Sequence, residues 1–210
     1  MEALVAFAAA LLALRLTALL ARRRRETGRP ELAAWTAALF AYAVASAALT
    51  WGAAAGWDSR SFRVYYLFGG LLTAPLLGVG SLLLYGWRRV AAPALVYVGL
   101  AVGIAISMPV HGAFGDGTPA AQDHLDLIPA RLVAIVANIA GTLAVAAVAI
   151  VTIRRRPLGN GLILAGVGVA ALGTALSGLE RRKRLFSLQL QHFFFTEVLQ
   201  PHPAIGANSR

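Results

Sequence analysis

Of the 210 residues, 59% are hydrophobic and only 13% are charged, with a mean hydropathy of +0.70. Soluble domains carry roughly 25% charged residues, and a chain this short cannot hide several all-round apolar helices in a soluble core, so a soluble globular protein is excluded. The net charge of +10 falls in arginine clusters between apolar runs, a pattern of membrane topology and anionic-headgroup contacts that argues against a nucleic-acid partner.

Hydropathy predicts an all-α fold, a polytopic transmembrane helix bundle over residues 1–180 with an atypical tail over 181–210. The first span, 3–21, ends at Arg22 to Arg25. Charges after the apolar run reverse the order of a secretory signal peptide, so a retained helix with an external N-terminus is expected. Arg15 interrupts the run within snorkelling reach of the same interface. The second span, 31–56, opens on Pro30 and Glu31 and carries Trp35 near one end and Trp51 near the other. The third covers 64–87 and closes at Arg88 and Arg89; the fourth covers 90–108. After a loop over 109–129, the fifth span runs over 130–153 and stops at Arg154 to Arg156. A glycine-rich sixth covers 158–179.

Basic residues choose the orientation. An external N-terminus puts ten arginines inside (Arg22 to Arg25, Arg29, Arg88, Arg89 and Arg154 to Arg156) and three outside (Arg60, Arg63 and Arg131). The expected location is therefore the inner (plasma) membrane, multi-pass, with an extracytoplasmic N-terminus. Six spans then leave Arg181 to Arg184 outside, against the charge rule. Either the sixth run is re-entrant, or the earlier spans dominate and the late cluster is translocated; the length and apolarity of the run favour the second. The tail is too short and polar for a seventh span. It holds the only lysine and three of the four glutamines, a foreign composition that fits an interfacial segment or an altered reading frame.

Chemistry-bearing residues are few. In the 109–129 loop, His111, Asp116, Asp123, His124 and Asp126 could offer nitrogen and oxygen to a divalent metal, but their spacing matches no strong metal motif, and a polar loop needs such residues anyway. In the third run, Arg63 and Tyr66 mark an interface, and Gly69, Gly70, Gly78 and Gly80 allow close helix approach. Pro75 should kink that helix, with Thr73 able to satisfy a freed backbone group. Asn138 should hydrogen-bond a neighbouring helix, or line a pathway. Gly99 and Gly103 form a G-x-x-x-G that also arises by chance in an alanine-rich chain. No span holds a central Asp or Glu, none holds a lysine for a Schiff base, and none holds paired histidines for haem; no cofactor is expected.

The stretch from Arg60 to Arg89, with "YYLFG" at Tyr65 to Gly69, resembles a family of polytopic membrane proteins of GC-rich bacteria. The resemblance covers residues 1–180 in pattern and implies a seven-span bundle, but it brings no activity with it. The expected function is a non-enzymatic scaffold, sensor-like module or accessory membrane component. Its partners would be the lipid bilayer with its anionic headgroups, and another membrane protein or a second copy of itself. The alternatives are a small transporter or channel for an uncharged or anionic solute, and a metal-dependent enzyme using the 109–129 loop.

Overall fold

The computed structural model describes residues 2–115, 117–154 and 157–169, and no strand occurs among them. Helix α1 is Glu2–Thr27 and α2 is Pro30–Ala55. Helix α3, Ser59–Tyr65, passes through a π-helical segment, Tyr66–Leu72, into α4, Thr73–Tyr85. A 3₁₀ turn at Arg88–Val90 opens α5, Ala91–Ser107. The connection that follows contains one helical turn, α6, Ala121–His124; a π turn at Leu127–Arg131 then leads into α7, Leu132–Thr152. Helix α8 is Pro157–Val169. The chain divides into two compact units, Met1–Gly161 and Leu162–Arg210, and α1 to α7 belong to the first.

Five stretches are long and apolar enough to cross a membrane: Ala3–Thr27, Pro30–Ala55, Ser59–Tyr85, Arg88–Ser107 and Leu127–Thr152. They match the first five expected spans with shifted ends. The first helix continues through the arginine cluster to Thr27. The third begins at Ser59 instead of 64, because Asp58 caps it: the Asp58 carboxylate accepts from the Ser61 N–H at 2.7 Å, and the Asp58 N–H donates to the Ser61 hydroxyl at 3.0 Å. Of the expected sixth span only the part within α8 is described. Its remainder and the tail over 181–210 lie outside the described residues.

Burial is inverted relative to a soluble protein. The buried set is dominated by alanine, whereas Leu95, Ile106 and Leu143 are 75%, 74% and 63% exposed. In hydrocarbon nothing drives large apolar side chains inward, and close packing of small ones holds helices together. Helix α1 lays Ala6, Ala10 and Ala13 inward and packs on α2; α2 packs on α4, and α4 on α7. The tightest crossing is α4 on α7. A Cβ on Gly78 would lie 2.7 Å from the Gly141 Cα, and one on Gly141 would strike the Ala74 carbonyl. Gly80 meets the Trp35 ring in the same way. Gly99 and Gly103, by contrast, face open space, so among the described residues their G-x-x-x-G spacing serves no helix contact. Gly86 ends α4 at φ 108°, with its N–H on Leu83 and that of Trp87 on Leu82, a left-handed cap that glycine alone adopts without strain.

Gly141→Ala should lower thermal stability in detergent by about 1–3 kcal/mol, the usual effect of overpacking. Gly99→Ala should leave the melt unchanged or raise it; equal effects would show that the α4–α7 approach is not the tight contact. The cap at α3 carries a pH dependence. Hydrogen bonds from the Ser61 side chain and backbone, with help from Arg60, hold the Asp58 carboxyl below its ordinary value of 3.8. A depressed carboxyl stabilises the fold above its unfolded-state value, and the stabilisation is lost as pH falls through the lower folded value. Asp58→Asn, which still caps, should flatten stability across that acid window and change little at neutral pH.

Candidate functional site

Proline has no N–H, so Pro75 cannot serve the carbonyl it would otherwise reach, Leu71 in the α register or Gly70 in the π register. Both are answered from other helices. Tyr97 on α5 donates its hydroxyl to the Leu71 carbonyl at 2.6 Å. Asn138 on α7 gives one amide hydrogen to the Gly70 carbonyl at 2.5 Å and the other to its own Ala134 carbonyl at 2.7 Å. The Thr73 hydroxyl donates to the Phe68 carbonyl at 2.7 Å, five residues back, which closes the π turn from within. Pro75 therefore sits above a π-wound segment pinned from three sides.

The other residues singled out in the third run also bind backbone. Tyr66 donates its hydroxyl to the Ala130 carbonyl at 3.3 Å, tying the π segment to the start of α7. Arg63 reaches the last turn of α5 and donates to the Ala105 and Ile106 carbonyls, each at 2.9 Å. A guanidinium on the exposed carbonyls of a helix end is a favourable charge-assisted contact.

Beside the break lies a cavity of about 500 Å³ between α2 and the α3–π–α4 helix. Gly69, Gly70 and Ala45 form its narrow base, Tyr65, Tyr66 and Thr73 one wall, and Tyr42 and Ser46 the other. Pro119 and Ala121 reach it from the 108–126 connection. Ser46 is 7% exposed, whereas Tyr42, at the middle of α2, is 44% exposed; neither hydroxyl has a hydrogen-bond partner among the described residues. No Asp, Glu, Lys or His lines this cavity.

The loop histidines have other work. The buried His124 ring stacks on Phe114 at 4.4 Å and meets Phe62 edge-on at 5.5 Å, while its Nδ1 donates to the His111 carbonyl at 2.9 Å. The His111 N–H donates back to the His124 carbonyl at 2.9 Å. His111 Nε2 faces Asp126 at 3.4 Å on the exposed side, Asp123 is exposed, and Asp116 lies outside the described residues. Among the described residues no three His, Cys, Asp or Glu come together as a metal site. The loop candidates are thus not gathered as ligands, since His124 is committed to packing and to one carbonyl.

Sequence reasoning missed Tyr97, Gly141, Tyr42 and Ser46. The last two were findable, because two hydroxyls four residues apart share one helix face in the middle of an apolar run. Tyr97 and Gly141 gave no comparable sign.

The fold places the chain among polytopic helical membrane bundles. Comparison with protein-family models, with curated proteins and with solved structures finds no match to it.

A double-mutant cycle tests the pinned break. Tyr97→Phe should destabilise by about 1–3 kcal/mol, since it strands a carbonyl in an apolar setting. In a Pro75→Ala background the new N–H can take the same acceptor, so the penalty should shrink by at least about 0.5 kcal/mol, within the range of coupled neighbours. Additive penalties in a denaturant or thermal series would show that the two residues do not share that carbonyl.

Proposed function

We propose that the protein is a non-enzymatic, sensor-like component of the inner membrane that holds a small uncharged molecule in the cavity beside the π segment. The observation that carries this reading is the pair of hydroxyl residues, Tyr42 and Ser46, that line that cavity without a side-chain hydrogen-bond partner among the described residues. A hydroxyl without a partner in an apolar medium loses roughly 2–7 kcal/mol of solvation, so a bound molecule with a donor or acceptor gains what these groups lack. Aromatic and aliphatic walls suit an apolar body. The absence of charged lining groups favours a neutral ligand, because an ion would be desolvated without compensation.

Both Asn138 amide hydrogens are spent on backbone, so the transport reading loses its main polar group, and the pinned break supports a fixed cavity. The ten basic residues against three counted through the fifth-to-sixth connection support an external N-terminus, and that orientation turns the cavity and the 108–126 connection toward the extracytoplasmic side. The arginine-rich ends then meet the anionic headgroups of the inner leaflet.

Fluorine NMR of the full chain in lipid nanodiscs provides the test, with neutral 4-fluorobenzyl alcohol and anionic 4-fluorobenzoate as probes. The alcohol should bind saturably and the benzoate should not. Ser46→Ala should weaken binding roughly three- to tenfold, the worth of one neutral hydrogen bond. Ala45→Leu, which fills the base, should abolish it. Unsaturable partitioning of the alcohol, or binding indifferent to both changes, would reject the proposal.

A further inference from the structure

On the opposite face of the same helix break lies a groove of different chemistry. It has a volume of about 590 Å³ and opens between α2, α4 and α5. Ala33, Ala34 and Ala37 on α2 leave the space, and Leu72, Leu76 and Ala94 close it with apolar surface. On α2 it runs from Pro30 to Ala41, a rise of about 16 Å at 1.5 Å per residue. That is close to half of a roughly 30 Å hydrocarbon core, the depth of one leaflet.

Its end is basic. Arg24 lines the groove where α1 hands over to α2, and Leu83 and Ala91 line it on either side of the Gly86–Val90 turn. That turn carries Arg88 and Arg89 around a second concavity of about 530 Å³. Of the neighbouring arginines, Arg22 pairs with Glu26 at 3.0 Å and Arg29 pairs with Glu31, whereas Arg23 and Arg25 have no acidic partner among the described residues. Arg24, Arg88 and Arg89 have no acidic partner among the described residues. Trp87, 59% exposed, stands beside them as an interfacial aromatic.

We propose that this groove is a binding site for one anionic phospholipid, an acyl chain lying between α2, α4 and α5 and the phosphate held by Arg24 and the Arg88–Arg89 turn. Three features select this occupant over bulk lipid or a protein segment. The groove is one leaflet deep, its lining is apolar along its length, and the unpaired positive charge is confined to the end where a phosphate would sit. Arginine suits that end because its planar fork donates to phosphate oxygens in pairs. This site is independent of the neutral-ligand cavity and shares no lining residue with it.

Native mass spectrometry of the full chain, released from nanodiscs of equimolar phosphatidylcholine and phosphatidylglycerol, tests it. The wild type should retain one phosphatidylglycerol in preference to phosphatidylcholine by about tenfold, the ratio that one charge-assisted hydrogen bond supplies. Arg24→Ala combined with Arg88→Ala should bring the two lipids to parity, whereas Arg23→Ala should keep the preference. Changing arginines can disturb insertion, so Ala37→Trp supplies an arm that leaves every charge in place; it should abolish retention of both lipids. The proposal is overturned if the wild type shows no preference, or if Ala37→Trp retains phosphatidylglycerol as the wild type does. It is equally overturned if Ala37→Cys cross-links to residues 170–210 in the same nanodiscs, which would make the chain itself the occupant.

Discussion

The backbone carbonyls of Gly70 and Leu71, one of which loses its helical donor to Pro75, decide how the helices of this bundle meet. Inside hydrocarbon no water can answer them, and each unanswered group costs several kcal/mol. Their donors, Tyr97 and Asn138, come from α5 and α7, so the break in the third span joins three helices at one level. Apolar contact could not fix that arrangement alone, since lipid tails are as apolar as leucine and a helix loses little by rotating against them. Directional hydrogen bonds do fix it. Asn138 reaches Gly70 because Gly141, one turn further along α7, lets that helix come to backbone contact with α4 at Gly78 and Ala74. A side chain at either glycine would push the amide away from its acceptor.

The end of the bundle at the 108–126 connection is tied by the same kind of bond. Arg63 holds the end of α5, Tyr66 holds the start of α7, and the two histidines clasp the intervening connection through reciprocal bonds between His111 and His124. Polar side chains here satisfy ends and breaks of helices far more than they meet each other. That is what an apolar solvent demands, because helix interiors satisfy themselves and only their interruptions need partners.

Much of this was legible in the sequence. Composition and charge-free windows revealed five of the helices, and Pro75 with Thr73, Asn138 and the close-approach glycines of the third run pointed to the right region. The π winding was not legible, because a proline signals a missing donor without saying which register the chain adopts around it. Nor was Tyr97. Helices that are apolar on every side carry no periodicity to show which face turns inward, so a mid-span phenol could equally face lipid. The same ambiguity made Gly99 and Gly103 look like Gly78 and Gly141 by spacing, although only the second pair meets another backbone. The loop residues read as an ordinary polar loop before a metal site, and the structure turns His124 into an aromatic cluster.

The two concavities share a wall, and that wall is the π segment. Tyr66, Gly69 and Gly70 face the hydroxyl-lined cavity, while Phe68 and Leu72 face the apolar groove. A regular α-helix without a proline would need no outside donors and could turn or bend as its neighbours moved. This segment cannot do so without breaking bonds to α5 and α7 that the hydrocarbon offers no means of replacing. The partition is therefore stiff, and the two sides keep separate chemistries. The cavity has no charged lining residue, which is why a neutral molecule is the occupant proposed for it. The groove is apolar along its length with Arg24 at one end, which is why an anion with a long tail is the occupant proposed for it. One proline and the donors that answer it thus stand between a cavity with no charged lining residue and a groove with an arginine at its end.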